Sequence, residues 1–341
     1  MPDIKNLPAK GFPHDYDTIT LTASAATTIT LRGEGVETKM TLTPDGAGVV
    51  SLHGFAAILR DLTSDGKART FTISVGNNNY SFKVLPCKID IAVSTADFIA
   101  RHFLTLQSGA KGTYNGATEI LTYCNADDTP ETPTVQALFY NPDTNKPWTD
   151  TYADVLKTTA TGDGFFRIEF NVADFISRSN GLLLHSITVK VGAREARYTI
   201  APTMGRRPTT IIYKNAFGQD DTFHFFGTSQ TELKPDRSSA SFYGKARNYK
   251  VTSIPEYRMT TGTLRPESFH AFEDVCSAEV AYLDVKGRPE ICITENELKI
   301  SDDLHEAQQG TLTFRFSHGV CLYNPNDLVR TFDETFDKTF K

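Results

Sequence analysis

The sequence predicts a mainly β protein, three antiparallel β-sandwich or barrel-like domains that each carry one short amphipathic helix. Three observations lead there. From residue 17 onward apolar and polar residues alternate with a period of two, the mark of half-buried antiparallel strands. Short stretches with helical spacing interrupt that rhythm, and part of the plan returns after a shift of about 116 residues.

The N-terminal arm, residues 1–16, reads MPDIKNLPAKGFPHDY and holds charges but no apolar run, so it is expected to be neither a secretory signal nor a lipoprotein leader. The first domain, 17–86, alternates through ITL at 19–21, TITLR at 28–32, KMTLT at 39–43, VVSL at 49–52, RTFTISV at 69–75 and YSFKV at 80–84. In HGFAAILRDL the residues Phe55, Ile58, Leu59 and Leu62 stand at i, i+3, i+4 and i+7, which predicts a helix near 54–62 packed on the sheet.

The second domain, 87–202, lays GFFRIEFNVADFISRS, HSITVKVG and ARYTIAP over GVVSLHGFAAILRDL, RTFTISVG and YSFKVLP of the first. Gly48 then falls on Gly164, Phe71 on Ile187, Gly76 on Gly192, Val84 on Ile200 and Pro86 on Pro202. A period this long reads as a duplicated domain, since solenoid units are shorter. The second copy also carries a long insert, whose stretches DDTPETPT and YNPDTNKPWTD read as exposed loops. Asn141, Asp143 and Asn145 have the opening spacing of a calcium loop, but the sixth position is Lys146 where Gly is needed and the twelfth is Tyr152 where an acid is needed. A turn is the expectation there.

The third domain, 203–330, begins with TIIYKN and AFGQDDTFHFFG and stays strand-rich to TFRFS at 313–317. Within it RPESFHAFEDVC predicts a helix near 266–276, with Pro266 in its first turn, Glu267 beside it, and Phe269, Phe272 and Val275 or Cys276 on one face. The strands VAYLD and EICIT follow, joined by VKGRP with Gly287 at the bend.

The final segment, 331–341, reads TFDETFDKTFK and sets Phe332, Phe336 and Phe340 four residues apart. That spacing puts all three on one face of a helix or of a strand. Burying three Phe yields roughly 1.5 to 3 kcal/mol each, while ordering each residue's backbone costs roughly 1 to 2 kcal/mol, so the rings alone do not hold the segment. Thr and Asp are poor helix formers, whereas a pre-formed sheet edge adds backbone hydrogen bonds. Strand addition to a partner is therefore the expectation, and a loose end touching its own domain is the alternative.

A chain of 341 residues exceeds one ordinary core, and its 39% hydrophobic and 22% charged residues are those of a soluble globular protein. A net charge of −6 argues against a protein that coats nucleic acid, and no stretch approaches the roughly 20 apolar residues a membrane span needs. Direct nucleic-acid sequence recognition and membrane insertion are not expected. Cys87, Cys124, Cys276, Cys292 and Cys321 are odd in number and widely spaced, which fits reduced thiols and no C-x-x-C zinc pair.

Candidate chemistry is scattered. Asp220, Asp221 and His224 form the tightest polar group, and on a strand Asp220 and His224 share a face that suits a metal or acid–base work. The competing reading is a hairpin turn at Gly218 to Asp221 followed by a strand histidine with a satisfied side chain. Asp302, Asp303, His305 and Glu306 read as a solvated loop or one helical turn. There is no G-x-S-x-G elbow, no phosphate-cradling Gly-rich loop and no H-E-x-x-H. Tyr140, Trp148 and Tyr152 are a possible ligand loop, a sugar platform or else the anchor of the loop itself. No catalytic residue, metal-ligand set or cofactor is predicted.

The order YKNAFGQDDTFHFFG, EYRMTTGTLRPESFHAFEDVCSAEVAYL, GRPEICITE, GTLTFRFS and FDETFDKTF, covering about 140 residues, resembles tail proteins encoded by phages and prophages of gut Bacteroidota. The resemblance implies a structural virion protein near the tail tip, of distal-tail or baseplate type, assembled as a ring and carrying no catalytic residues. It implies a homo-oligomer that contacts other tail or baseplate proteins, assembled in the host bacterial cytoplasm and located in the virion. A glycan-binding or adhesive surface protein is one alternative. A metal-dependent hydrolase built on His224 with Asp220 or Asp221 is another.

Overall fold

The computed structural model describes residues 3–33, 35–153, 155–179, 181–202, 207–243, 245–300 and 308–317. Among them the chain is mainly β, with four α-helices and five open sheets. The N-terminal stretch is part of the body: β1 (Asp3–Lys5) and β2 (Lys10–Gly11) enter two different sheets, and a single 3-10 turn at Pro13–Tyr16 buries Tyr16. After it come β3 (Thr18–Thr22), β4 (Thr27–Gly33), β5 (Val36–Leu42), β6 (Val49–His53), α1 (Phe55–Leu62), β7 (Arg69–Val75) and β8 (Asn78–Val84). They form one sheet ordered β1-β3-β6 and another ordered β2-β8-β7-β4-β5, with β2 parallel to β8. Ile19, Leu21, Ile29, Leu31, Phe71 and Phe82 fill the space between them, and α1 adds Phe55 and Leu59, two of the four apolar residues that predict it.

The next elements are α2 (Thr95–Arg101), β9 (Lys111–Thr113), β10 (Thr118–Cys124), β11 (Thr134–Tyr140), β12 (Pro147–Ala153), β13 (Thr158–Gly162), β14 (Phe165–Asn171), α3 (Val172–Ile176), β15 (Leu183–Val191) and β16 (Arg194–Ile200). Their sheets are ordered β10-β14-β13 and β12-β11-β15-β16-β9, again with a short parallel strand, β9, at the edge beside β16. The five-stranded sheets thus match strand for strand. Gly76 and Gly192 hold the same turn, at φ +60° and +59°, inside two-residue hairpins closed by Val75–Asn78 and Val191–Arg194. The sheets differ in one place, because β1 pairs with β3 whereas β13 pairs with β14.

Two elements differ from the sequence expectation. The stretch PWTD lies in the regular edge strand β12, paired along its length with β11, and only 141–146 is the turn between them. Helix α2 falls outside every predicted helix. Ser94 caps it by accepting from the Asp97 backbone N–H at 3.2 Å while its hydroxyl donates to the Asp97 carboxylate at 2.7 Å.

The last elements are β17 (Thr209–Lys214), β18 (Asp220–Phe225), β19 (Ser229–Phe242), β20 (Lys245–Thr260), a 3-10 turn (Pro266–Ser268) leading into α4 (Phe269–Cys276), β21 (Ala281–Leu283), β22 (Glu290–Lys299) and β23 (Gln309–Phe316). One seven-stranded sheet, β18-β17-β21-β22-β23-β20-β19, packs on α4 through Phe223, Phe225, Phe272 and Val275. The β19–β20 hairpin outruns it. The β20–β23 pairing spans Tyr257–Thr260, and continuing its register would set Glu256 against Arg315 and then Pro255 against Phe316. Among the described residues the hairpin continues as a two-stranded ribbon from Leu233 paired with Pro255 to Phe242 paired with Lys245, and Pro255, which offers no N–H to a ladder, suits this end of the wider sheet. At about 3.3 Å per residue it runs about 30 Å beyond the last strand that pairs with it among the described residues.

Candidate functional site

The motif YKNAFGQDDTFHF sits where the three sets of sheets meet. Phe217 enters a shared apolar cluster with Phe12, Leu85, Cys87, Ile99, Leu104, Cys124 and Phe165, drawn from every part of the fold. Its ring stacks on Phe98 at 5.4 Å and leans on Phe12 at 5.6 Å. The turn before β18 is held by Asn215, whose side-chain oxygen accepts from the Phe217 and Gln219 backbone N–H groups while its Nδ2 donates to the Leu104 carbonyl at 2.7 Å. Gly218, at φ +68°, lies so close to the Gly66 turn that a Cβ there would come within 2.2 Å of the Gly66 Cα. Only glycine fits on either side of that contact.

β18 then runs across β10 with a buried polar cluster between them. The Glu119 carboxylate is fully buried and receives His224 Nε2 at 2.6 Å, Thr222 Oγ1 at 3.0 Å and Lys111 Nζ at 2.9 Å. On its other side the His224 ring meets Thr210 Oγ1 through Nδ1 at 2.8 Å, and Thr210 in turn meets the Tyr114 hydroxyl at 2.9 Å. Lys111 also reaches Thr222 Oγ1 at 2.6 Å and Asp221 at 3.6 Å, and the Thr105 hydroxyl donates to Asp221 at 2.6 Å. Burial pushes the Glu119 carboxyl up, but the Lys111 and His224 charges and hydrogen bonds outweigh it and hold the group well below the ordinary range. At Asp221 burial wins, and its carboxyl stands above the ordinary value despite Lys111.

An ionised Glu119 only accepts hydrogen bonds, so Nε2 of His224 is the donor. Carboxylate, imidazole and hydroxyl in line form the relay that activates a nucleophile in other proteins. Here the hydroxyl end, Thr210, is 3% exposed and already engaged by Tyr114. Both ring nitrogens of His224 are occupied, which leaves neither for a metal ion. Of the sequence candidates, His224 meets Glu119 and Asp221 meets Lys111 in the one Glu119–Lys111 cluster, while Asp220 turns to Arg167 at 2.6 Å and Lys214 at 2.8 Å and ties β18 to β14. Among the described residues no group of three or more His, Cys, Asp or Glu is placed to hold a metal. The cluster holds β18 against β10 through hydrogen-bonded polar pairs.

The aromatic trio is divided. Trp148 and Tyr152 lie on β12 opposite Phe139 and Val135, whereas Tyr140 alternates to the other face of β11 and meets His185 edge-on at 5.3 Å. Tyr152 packs against Phe175, with the Arg178 guanidinium 5.8 Å from its ring. Trp148, four residues along the strand and 59% exposed, is the only one of the three open to a ligand. Phe332, Phe336 and Phe340 lie outside the described residues, as do Cys321 and the 302–306 acidic group. The four described cysteines are free, and burial pushes the Cys87 and Cys124 thiols up to about 11.

Sequence reasoning missed Glu119, Lys111 and Arg194. Arg194 is 3% exposed; it donates to the Cys124 carbonyl at 2.9 Å, to Asn125 Oδ1 at 2.6 Å and to Glu131 at 3.1 Å, over the Tyr123 ring. No described helix is long and apolar enough to cross a membrane. Compared with known proteins, the chain matches no family model and no curated protein.

Proposed function

We propose that this chain is a structural, non-catalytic subunit of a phage tail or baseplate, acting as one member of a homo-oligomeric ring located in the virion and contacting neighbouring tail proteins. The observation that carries the reading is the β19–β20 ribbon. From Leu233 to Pro255 its two strands pair only with each other among the described residues. An isolated two-stranded hairpin is marginal in water, so an extended one of this length is stable only when laid on something else. The order of motifs that resembles phage tail proteins supports this class of assembly, and the fused interior gives a body from which an arm can reach. Sheet edges and the Phe332, Phe336 and Phe340 segment are further surfaces for a neighbour.

Mass in solution tests this. The full chain is expected to associate with rising concentration in light scattering and to give closed particles in electron microscopy, and a chain with residues 235–253 replaced by a short turn is expected to remain a monomer. A full chain that is monomeric throughout overturns the reading. A second reading, a glycan-binding surface protein, rests on the exposed Trp148 and is tested by a glycan array with Trp148→Ala.

A further inference from the structure

A cavity of about 400 Å³ lies beside α4, lined by Lys88, Asp90, Lys214, His270, Glu273 and Asp274 among others. Most of its charges are already matched. Lys88 pairs with Glu279 at 2.8 Å, Lys214 with Asp220 at 2.8 Å, His270 with Glu273 at 3.0 Å, and Asp90 with Arg60 at 2.5 Å. Asp274 is the exception: it is 8% exposed, and its Oδ2 is buried without a hydrogen-bond partner. A buried carboxylate oxygen in that condition is costly unless a donor or a cation reaches it. Burial pushes the Asp274 carboxyl up to about 7, with the Asp221 charge adding to it and the Ala216 backbone N–H opposing.

The opposite charge is concentrated elsewhere in the chain. The ribbon sequence 229–260 holds Lys234, Arg237, Lys245, Arg247, Lys250 and Arg258 against Glu232, Asp236 and Glu256, whereas the whole chain carries 35 basic and 41 acidic residues. A basic arm on an acidic body favours contact between one copy's arm and the next copy's body. We propose that the cavity beside α4 is a socket for a cationic side chain from the ribbon of a second copy of this chain. It rests on the assembly reading above and adds where the arm lands and what recognises it. The chemistry is that of an ammonium or guanidinium group meeting a desolvated carboxyl group whose ionised form the incoming charge favours, which gives register as well as attraction.

The experiment compares the full chain with three variants by sedimentation: Asp274→Asn, Ser277→Arg, and the ribbon-shortened chain. Ser277→Arg sets a resident cation at the cavity wall and competes with the incoming one, so it reports even where Asp274→Asn alters folding. Both point variants are expected to weaken association at least about tenfold, and shortening is expected to abolish it. Carbodiimide coupling of the wild-type assembly is expected to join Asp274 to Lys245 or Lys250 of another copy, read by peptide mass spectrometry. Point variants that associate like wild type while the shortened chain does not overturn the socket and leave the assembly reading standing. A shortened chain that associates like wild type overturns the ribbon as the contact and the socket with it, and a full chain that stays monomeric overturns the assembly reading itself.

Discussion

Glu119→Gln is the sharpest probe of the junction. Gln keeps the shape and removes one charge from a site with no exposure, leaving Lys111, whose side chain is 11% exposed, with Asp221 at 3.6 Å as its remaining acidic partner. Breaking a buried ion pair from one side costs about 3 to 5 kcal/mol, because the surviving charge stays desolvated. Urea unfolding at pH 7 should therefore show a midpoint lowered by that amount divided by the unfolding slope. The pH dependence adds a signature. The folded Glu119 carboxyl sits well below its unfolded value of 4.5, so its contribution is complete above pH 4.5 and is lost as pH falls toward the folded value. The gap between wild type and variant should narrow from pH 5 to pH 3. A loss under about 1 kcal/mol at pH 7, or a gap that does not change with pH, refutes the claim that this cluster binds β18 to β10.

Gly218→Ala should cost about 3 kcal/mol in the same assay, since it combines a left-handed residue at φ +68° with a backbone contact that has no room for a Cβ, whereas Gly76→Ala, with open space around it, should cost about 1 kcal/mol. In a Cys321→Ser background, a thiol reagent at pH 8 should label exposed Cys292 rapidly and leave Cys87 and Cys124 unlabelled until urea is added. Asp274→Asn should flatten a decline in stability of about 3 to 4 kcal/mol between pH 4 and pH 7. The folded carboxyl keeps its proton up to about 7 while the unfolded one releases it near 3.8, so the folded state is favoured at the acid end of that window and loses ground as pH rises.

The parts legible in the sequence are those governed by local rules. The spacing of Phe55, Ile58, Leu59 and Leu62 marks α1, the Pro266 start marks the approach to α4, and Gly76 and Gly192 mark equivalent hairpins. Local rules also misread two elements. Helix α2 has a legible Ser94–Asp97 cap but only seven residues, too few for a periodic signal, and β12 is rich in Thr, Asp and Pro because it is an edge strand with little to bury. Glu119 escaped for a different reason. In TEILTYC a leading glutamate reads as solvent-facing, yet β10 is buried on both faces, and the partners that make this tolerable, Lys111 and His224, lie in other elements, one of them more than a hundred residues away. Nothing local encodes a pairing across that distance. The ribbon is similar, since a polar hairpin reads as ordinary strand and only the ladder register shows that it outruns its sheet.

The meeting of Gly66 with Gly218 also sets where this molecule accepts a guest. Two bends pressed main chain to main chain have no slack, so lengthening either would prise the layers apart along the seam that Phe217 seals. The 141–146 bend joins β11 to the edge strand β12, which pairs on one side only among the described residues. A fluorescent or affinity tag threaded there should leave the interior undisturbed.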